Sequence, residues 1–283
     1  MESVDKEETY YSIGEVSKIC NITKKTLRYY DEIGLVSPDK ICENHYRYYS
    51  RENMLLVPII RYYKQMGFKL EEMRWLLSGG SYQALEESFA EKIAALKQQE
   101  QEIHHQYVSI KEWYDLLREG EQVIAGDVRE VAVKFTEGQT CLAMPMQFQH
   151  QYMEMLLNID FANFVKTLGN KTKGPMILYF PSLEKRLQQQ AQQIYIVHQT
   201  ILPCPAEHQM QFGGCMMLSC YHIGPHETLG ETYQKMLDWA ERHQYPYQNV
   251  CYERCVTDYW STRDSRQFVT ELLIPVQPRH KEQ

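Results

Sequence analysis

The sequence of 283 residues lacks long apolar runs and closely spaced cysteine pairs. No segment approaches the ~18 consecutive apolar residues of a membrane-spanning helix. The polar, acidic residues 1–9 lack the apolar stretch of a signal peptide. We therefore expect a cytoplasmic protein that does not associate with a membrane. None of the eight cysteines belongs to a CxxC pair, so reduced thiols are expected rather than disulfides.

The chain also lacks overall positive charge, since its formal net charge is −7 at pH 7. Residues 10–80 nevertheless contain eleven Lys or Arg and only eight Asp or Glu, whereas residues 81–283 contain eighteen and twenty-five. Phosphate binding needs locally positive charge, so the first part can bind nucleic acid. The acidic second part is compatible with a cationic ligand, although such a surface often serves only solubility. The length itself suggests two domains.

Two short helices joined by a tight turn are predicted near the start of the chain. Ser12 and Glu15 match a capping box for a first helix that ends near Cys20, and Thr23 begins a second helix that ends at Gly34. The apolar positions expected to pack the two helices are Ile13, Val16, Ile19, Leu27 and Ile33. Such a pair is a helix-turn-helix, whose second helix enters the major groove of DNA.

The second helix carries the first set of candidate DNA-binding residues, which are Lys24, Lys25, Thr26, Arg28 and Tyr29, with Tyr30 also on or near the outside. The alternative interpretation is an ordinary solvated helix face. A β-hairpin with the turn Asn44-His45 follows and adds Tyr46, Arg47 and Tyr48 as candidates for contacts with the DNA backbone. The next helices are predicted at Glu52–Met66, where Lys64 is a weaker candidate, and at Lys69–Leu77, ending at Gly79-Gly80. Pro58 predicts a kink or a shifted start in the first of them.

Three motifs in this part resemble the MerR family of bacterial transcription regulators. They are Tyr11-Ser12-Ile13-Gly14-Glu15-Val16, Thr26-Leu27-Arg28-Tyr29-Tyr30-Asp31-Glu32-Ile33-Gly34-Leu35-Val36 and Tyr46-Arg47-Tyr48-Tyr49. The resemblance implies a winged helix-turn-helix dimer that binds an inverted repeat within a promoter and acts on RNA polymerase. One departure is His45, which stands where the family has glycine and so must tolerate a positive φ. Some relatives sense metals with cysteines that flank the dimerisation helix, but residues 79–126 contain none, so we expect no metal site.

Proline and glycine are absent from Gln83 to Glu119, where a long helix is predicted. Apolar or aromatic residues recur there at alternating spacings of three and four, with one missed position at Glu100. They are Leu85, Phe89, Ile93, Leu96, Ile103, Tyr107, Ile110, Tyr114 and Leu117. This pattern predicts a coiled coil, and the alternative is a single amphipathic helix packed on its own domain. The MerR resemblance favours an antiparallel coiled coil in a homodimer.

The remaining residues are predicted to form two similar strand-helix-strand-strand halves. The first half is assigned to 131–144, 149–168, 176–180 and 193–202, and the second to 215–222, 227–243, 249–256 and 267–276. The predicted fold is therefore an all-α winged helix-turn-helix head, a long dimerisation helix and an α+β duplicated domain. The predicted domains are a polar tail at 1–9, a DNA-binding domain at 10–80, a dimerisation helix at 81–119, a linker at 120–127 and an effector-binding domain at 128–283.

The second half resembles the GyrI-like ligand-binding domain. The resemblance rests on Cys220-Tyr221-His222-Ile223-Gly224-Pro225-His226, the Tyr233–Trp239 spacing, Tyr252-Glu253 and Thr270-Glu271-Leu272-Leu273-Ile274-Pro275-Val276. Combined with a MerR head, it implies the multidrug-responsive branch, which responds to bulky lipophilic cations. The expected mechanism is activation by distortion of an over-long promoter spacer when the ligand binds.

A lipophilic cation is bound by aromatic faces together with a carboxylate. The candidate carboxylates are Glu253, where the resemblance places a ligand-binding acid, and Glu271, which strand alternation alone could equally point into water. The candidate aromatic residues are Tyr152, Tyr195, Tyr221, Trp239, Tyr252 and Trp260. Individually such aromatics are more often part of a core.

No cofactor is expected, and no Ser-His-Asp or Cys-His arrangement is legible, so we do not expect an enzyme. Two alternatives remain open at this point. The rear domain could be a small-molecule hydrolase, as is implicated for some stand-alone relatives. It could also be a protein-interaction module coupled to the DNA-binding head.

Overall fold

A computed structural model describes residues 9–43, 45–79, 81–148 and 151–277. The predicted tail, the turn residue Asn44, Gly80 and the predicted helix start at Gln149 lie outside the described residues. The chain divides into two compact units, residues 1–100 and 101–283, and each is described by itself. No helix of the described ranges is both long and apolar enough to cross a bilayer.

The first unit contains two pairs of helices, a small sheet and the start of a long helix. The bounds are Tyr11–Ser12 (β1), Ile13–Ile19 (α1), Lys24–Glu32 (α2), Lys40–Ile41 (β2), Arg47–Tyr49 (β3), Arg51–Gln65 (α3), Leu70–Leu77 (α4) and Tyr82–Ala125 (α5). The three strands form an antiparallel sheet in the order β1-β3-β2. The expectation of an all-α head with one hairpin was incomplete, because β1 was not predicted.

The predicted caps set the start of α1 and α2. The backbone N–H of Ser12 donates to the Glu15 carboxylate (2.8 Å), and the N–H of Glu15 donates to the Ser12 hydroxyl (3.3 Å), which confirms the capping box. The N–H of Thr26 donates to the Thr23 hydroxyl (3.0 Å). Two burial predictions were wrong: Ile19 is 59% exposed, and Tyr30 is only 3% exposed.

The two departures from the family pattern have local solutions. His45 adopts φ of +60°, the left-handed conformation that the family turn requires. Pro58 lies inside α3, which begins at Arg51 behind the Ser50 cap, so the expected shifted start was wrong. Proline has no N–H to bond the carbonyl four residues back. That carbonyl, of Met54, instead lies 3.8 Å from the Cys20 thiol, which can donate to it.

Helix α5 has 44 residues and is roughly 65 Å long at ~1.5 Å per residue. Its first apolar positions, Leu85 and Phe89, pack against the core of the first unit. The later positions of the predicted heptad stripe are exposed within the single chain: Ile93, Leu96, Ile103, Tyr107, Ile110, Tyr114 and Leu117. The predicted linker at 120–127 was wrong in part, because the helix continues to Ala125.

The second unit is built on one eight-stranded antiparallel sheet. Its strands are Ala132–Thr136 (β4), Gln139–Gln147 (β5), Thr172–Phe180 (β6), Gln193–Thr200 (β7), Gln209–Phe212 (β8), Cys215–Ile223 (β9), Cys251–Thr257 (β10) and Val269–Pro275 (β11). Its helices after α5 are Tyr152–Leu156 (α6), Ile159–Thr167 (α7), Leu183–Leu187 (α8) and Leu229–Arg242 (α9). The strand order is β4-β9-β11-β10-β6-β7-β5-β8.

This order contains the two predicted halves, β5-β7-β6 and β9-β11-β10, joined at the centre by β10 and β6. Three details differ from the prediction. The strand predicted at 131–144 is two strands, and β4 pairs with β9 of the other half while β8 pairs with β5. The helix predicted at 149–168 is divided into α6 and α7, and neither α8 nor β8 was predicted.

The two faces of the sheet have different coverings, because strand residues alternate between them. One face packs on α6, α7, α8 and α9 and forms the main core, which includes Leu178, Phe180, Leu183, Tyr233 and Met236. The opposite face carries a smaller apolar cluster. The C-terminal part of α5 packs on this second face through Leu116 and Val123, which meet Val256 and Val269.

Gly120 permits the close approach of α5 to the sheet. A Cβ atom at this position would lie 2.7 Å from Cγ2 of Thr257. We therefore expect Gly120→Val to destabilise the chain by about 1–3 kcal/mol through overpacking, although valine has the better helix propensity. Thermal unfolding measures this. The same residue placed at exposed Ala125 is the control, and equal stability of both variants would contradict the close contact.

Candidate DNA-binding and ligand-binding sites

The exposed surface of α2 carries four of the predicted DNA-binding residues. Lys24, Lys25, Arg28 and Tyr29 are all exposed, whereas Thr26 is half-buried. The Thr26 hydroxyl lies 2.7 Å from that of Thr23, so it completes the helix cap. This helix presents three cations and an aromatic ring to solvent on a rigid, capped element.

The hairpin is tied to α2 by an ion pair. Nε of Arg47 donates to the Asp31 carboxylate at 2.8 Å, and this hydrogen bond raises the pKa of Arg47. Tyr46 is exposed, and Tyr48 is half-buried. The exposed Lys64 ammonium donates to the Tyr30 hydroxyl at 2.8 Å. Arg47 and Lys64 therefore also position α2, a role that the sequence did not suggest.

Glu253 lies at the centre of a buried cluster between the sheet and its helices. Its carboxylate is 0% exposed. It accepts hydrogen bonds from the hydroxyls of Tyr152 (2.9 Å) and Tyr233 (3.1 Å) and from Nε of Arg186 (2.7 Å). Arg186 Nη2 also donates to the Tyr152 hydroxyl. Each of these three side chains therefore has a hydrogen-bond partner inside the cluster.

Aromatic rings surround the Arg186 guanidinium. Its Cζ lies 5.3–5.8 Å from the ring centroids of Phe148, Tyr152, Phe180 and Tyr233. These distances are within the ~6 Å range of cation–π attraction. Burial alone would lower the pKa of Arg186, but the Glu253 carboxylate raises it above its ordinary value. We call these four rings with Glu253 the aromatic cage; its occupant is a charged guanidinium.

Glu271 belongs to a second cluster on the opposite face. It is 1% exposed, so the alternative that it points into water is wrong. It accepts hydrogen bonds from the Ser219 hydroxyl (2.5 Å) and from Nη1 of Arg254 (3.0 Å), and it pairs with Lys134.

Arg254 joins this second cluster to α5. Its two terminal nitrogens donate to the two Glu119 oxygens at 2.6 and 2.7 Å, and the Tyr221 hydroxyl donates to Glu119 at 2.8 Å. Burial alone would raise the pKa of Glu119, but the bonds from Arg254 lower it. A cavity of about 430 Å³ lies here, and its lining includes Glu112, Lys134, Gln139, Gln199 and Phe212.

The other predicted aromatic residues lie in three places. Tyr252 stacks on Tyr179 with ring centroids 4.8 Å apart, and Tyr195 lies 6.0 Å from Tyr179, on the face of the second cluster. Trp239 stacks on His243, the residue that follows α9, with ring centroids 4.1 Å apart. Trp260 meets Trp113 of α5 edge-on at 4.3 Å.

The predicted ligand-binding residues therefore do not form one site. Tyr152 and Glu253 are together in the aromatic cage, and Trp239 lies on α9. The others lie on the opposite face of the sheet, where Trp260 and Tyr221 pack on the same cluster beneath α5: Glu271, Tyr195, Tyr221, Tyr252 and Trp260. Sequence reasoning missed Arg186 and Arg254. Arg254 directly follows Glu253 in the strand, so the alternation of strand side chains could have placed Arg254 on the opposite face of the sheet. No feature of the neighbouring sequence pointed to Arg186.

Comparison with known protein families finds a match in the N-terminal part of the chain and another in the C-terminal part. A model of the MerR HTH family of regulatory proteins matches residues 11–79, and a model of the GyrI-like small molecule binding domain matches residues 166–277. The chain joins a MerR domain to a GyrI-like domain. Both matched families are of regulatory or binding proteins rather than enzymes.

The MerR domain is also similar to curated proteins of Bacillus subtilis (strain 168). The multidrug-efflux transporter 2 regulator is 44% identical over 70 residues, which are 25% of this chain and 26% of the relative. The multidrug-efflux transporter 1 regulator is 45% identical over 69 residues, 24% and 25% of the two chains. The chain therefore matches only about a quarter of the length of these relatives.

Among solved structures, a cryo-EM structure of an EcmrR–DNA complex is 19% identical to the chain. The similarity covers 95% of this chain and 100% of that one, with a TM-score of 0.46.

Two buried histidines of the GyrI-like domain predict a pH effect. Burial lowers the pKa of His198 and of His226 to about 4 from an ordinary value of 6.5. Among the described residues, no hydrogen-bond partner is found for Nδ1 of His198 or for Nε2 of His226. Because the unfolded chain takes up protons first, each histidine contributes stability above pH 6.5 that is lost as the pH falls towards 4.

The expected loss is about 2 kcal/mol per histidine at pH 5. Asp258, whose pKa burial raises to about 6, acts in the opposite direction. We therefore compare the wild type with His226→Phe, which keeps the stack on Tyr152 (4.6 Å) and leaves Asp258 in place. Melting temperatures from pH 7 to 5 should fall less in the variant. Parallel curves would contradict a buried neutral His226.

Proposed function

We propose that this protein is a ligand-responsive transcription regulator. It binds an inverted repeat in promoter DNA as a homodimer, and a small molecule bound to the GyrI-like domain switches it to activate RNA polymerase. The observation that carries the proposal is the combination of a capped, cationic α2 in a MerR domain with a GyrI-like domain on the same chain.

The DNA contacts are assigned to exposed and half-buried residues of the MerR domain. Helix α2 enters the major groove, where Arg28 and Tyr29 contact bases or phosphates and Lys24, Lys25 and Thr26 contact phosphates. The β2–β3 hairpin acts as a wing, from which Tyr46, Arg47 and Tyr48 bind the backbone, and Lys64 adds a further cation. The Arg47–Asp31 ion pair supports this arrangement because it holds the wing against α2, the proposed recognition helix.

The homodimer forms through α5. Seven apolar positions of its heptad stripe are exposed in the single chain, and such a surface is costly to leave in water. An antiparallel coiled coil between two copies buries them. The symmetric dimer then holds its two recognition helices at a fixed separation, as a two-fold symmetric operator requires.

The ligand is a lipophilic aromatic molecule, with a positive charge as the expected feature. Support comes from the aromatic cage around Glu253, which has the rings and the carboxylate that such a cation needs. The second cluster, with Glu271, Tyr221 and the nearby Tyr252 and Tyr195, offers a further polar and aromatic surface. Trp239 and Trp260 are proposed only as peripheral contacts.

Activation requires that the ligand favour one of two dimer states. In the favoured state the dimer bends and untwists an over-long spacer, which realigns the promoter elements for polymerase. Such deformation costs several kcal/mol, on the order of 1–6, and protein–backbone contacts must offset it. The difference between the ligand affinities of the two states limits the shift.

The direct test of the DNA-binding role is selection from a pool of random duplex DNA by the full chain. We expect enrichment of an inverted repeat whose half-sites lie on one side of the duplex. Binding that remains independent of sequence after repeated selection would contradict the proposal.

A further inference from the structure

The aromatic cage already contains a cation. Four rings and one buried carboxylate are the groups that recognise an organic cation, and here they surround the guanidinium of Arg186. Both members of the ion pair are almost completely buried, with exposed side-chain fractions of 7% for Arg186 and 0% for Glu253. The positive charge that a ligand would bring is therefore supplied by the protein itself.

We propose that Arg186 is a built-in occupant of this cage, and that it competes with cationic ligands of the GyrI-like domain for Glu253. A cationic ligand must displace the guanidinium before it can reach Glu253. The inference rests on the proposed function, since it concerns the effector site of that domain.

The competition favours Arg186 for two reasons. A tethered group competes at an effective concentration in the millimolar range, without loss of overall translational freedom. The guanidinium also makes two hydrogen bonds, to Glu253 and to the Tyr152 hydroxyl, which a quaternary ammonium cannot replace. The wild-type cage therefore binds small organic cations more weakly than it would without the Arg186 guanidinium.

The position of Arg186 allows it to be substituted in the test. It lies in α8, a helix of five residues on the loop between β6 and β7. Ser182 caps this helix through the N–H of Lys185 (3.2 Å), and Leu183 packs into the core. These contacts hold α8 on the sheet without the guanidinium, so truncation of Arg186 opens the cage while the helix keeps its attachments.

The experiment uses benzyltrimethylammonium, whose trimethylammonium head is small enough to replace a guanidinium, and titrates the full-length wild type and Arg186→Ala by calorimetry. We expect the variant to bind about tenfold or more tightly than the wild type, a gain of ~1.4 kcal/mol. The double variant Arg186→Ala with Glu253→Gln should lose that gain. Neopentylbenzene, the uncharged analogue, should not be affected by the Glu253 substitution.

A second variant covers the possibility that Arg186→Ala does not fold with Glu253 left unpaired. Tyr152→Phe keeps every charge and the ring, but it removes the hydroxyl that bonds to both Arg186 and Glu253. Loosening Arg186 in this way should tighten benzyltrimethylammonium binding about threefold, as expected for one lost hydrogen bond. Folded variants that bind no more tightly than the wild type would overturn the inference. Sequence-specific operator binding by the same preparations would show that the proposed function survives that result.

Discussion

Arg28→Glu is expected to lower operator affinity by at least about a hundredfold. Each good base contact by arginine contributes about 1–3 kcal/mol, and a dimer makes the contact twice. Charge reversal on exposed α2 also repels the phosphate backbone. Electrophoretic mobility shift or fluorescence anisotropy with the selected inverted repeat measures the loss.

The matched control for this substitution is Arg263→Glu. Arg263 is also exposed, and the change in net charge is the same, but it lies in the GyrI-like domain. We expect near wild-type affinity for that variant at the same salt concentration. Equal losses of operator affinity in both variants would indicate a general charge effect and would contradict the assignment of α2 as the recognition helix.

Acidic substitutions in the heptad stripe of α5 should prevent dimerisation and operator binding. Ile103→Asp combined with Ile110→Asp places charges at two exposed stripe positions of α5. Burial of one such apolar side chain contributes roughly 1.5–3 kcal/mol, and a symmetric dimer buries each position twice. We expect a monomer in sedimentation equilibrium at concentrations where the wild type is dimeric, with operator binding lost in parallel.

Gln101→Asp is the control for the dimer prediction. It introduces the same residue on the same helix, about 160° around the axis from Ile103 at 100° per residue. This variant should remain dimeric and bind the operator. A stripe variant that is still dimeric would contradict the coiled coil and favour the alternative of a single amphipathic helix.

Local patterns predicted much of the MerR domain because its elements are fixed by contacts between residues close in sequence. Ser12 with Glu15 and Thr23 with Thr26 are caps that span three residues each. The errors at Ile19 and Tyr30 concern burial, which depends on elements far along the chain. Tyr30, for example, is held by Lys64 of α3.

The GyrI-like domain was predicted less completely for the same reason. The duplication of the strand-helix-strand-strand unit was visible in the sequence. The pairing of β4 with β9 and of β8 with β5, however, depends on the arrangement of the whole sheet. Gly120 suggested a helix end, whereas it serves close packing against Thr257. Arg186 meets Glu253 across 67 residues, and nothing in the neighbouring sequence marks it as the partner of a buried acid.

The C-terminal part of α5 is firmly attached to the GyrI-like sheet. Arg254 bridges Glu119 of the helix and Glu271 of the sheet, and Leu116 and Val123 pack beside this bridge. The same helix carries the exposed apolar stripe that we propose as the dimer interface. Under that proposal, a change at the sheet can reach the interface through one continuous helix. The attachment of α5 to the sheet supports the proposal that the GyrI-like domain controls the dimer state.

The most direct test of the account is in vitro transcription with purified polymerase from two promoters that carry the selected operator. One promoter has an over-long spacer and the other a spacer of normal length. Tetraphenylphosphonium, a rigid aromatic cation, is added at saturating concentration. We expect ligand-dependent activation from the over-long spacer only. Equal ligand-dependent activation from the normal spacer would contradict activation by DNA distortion.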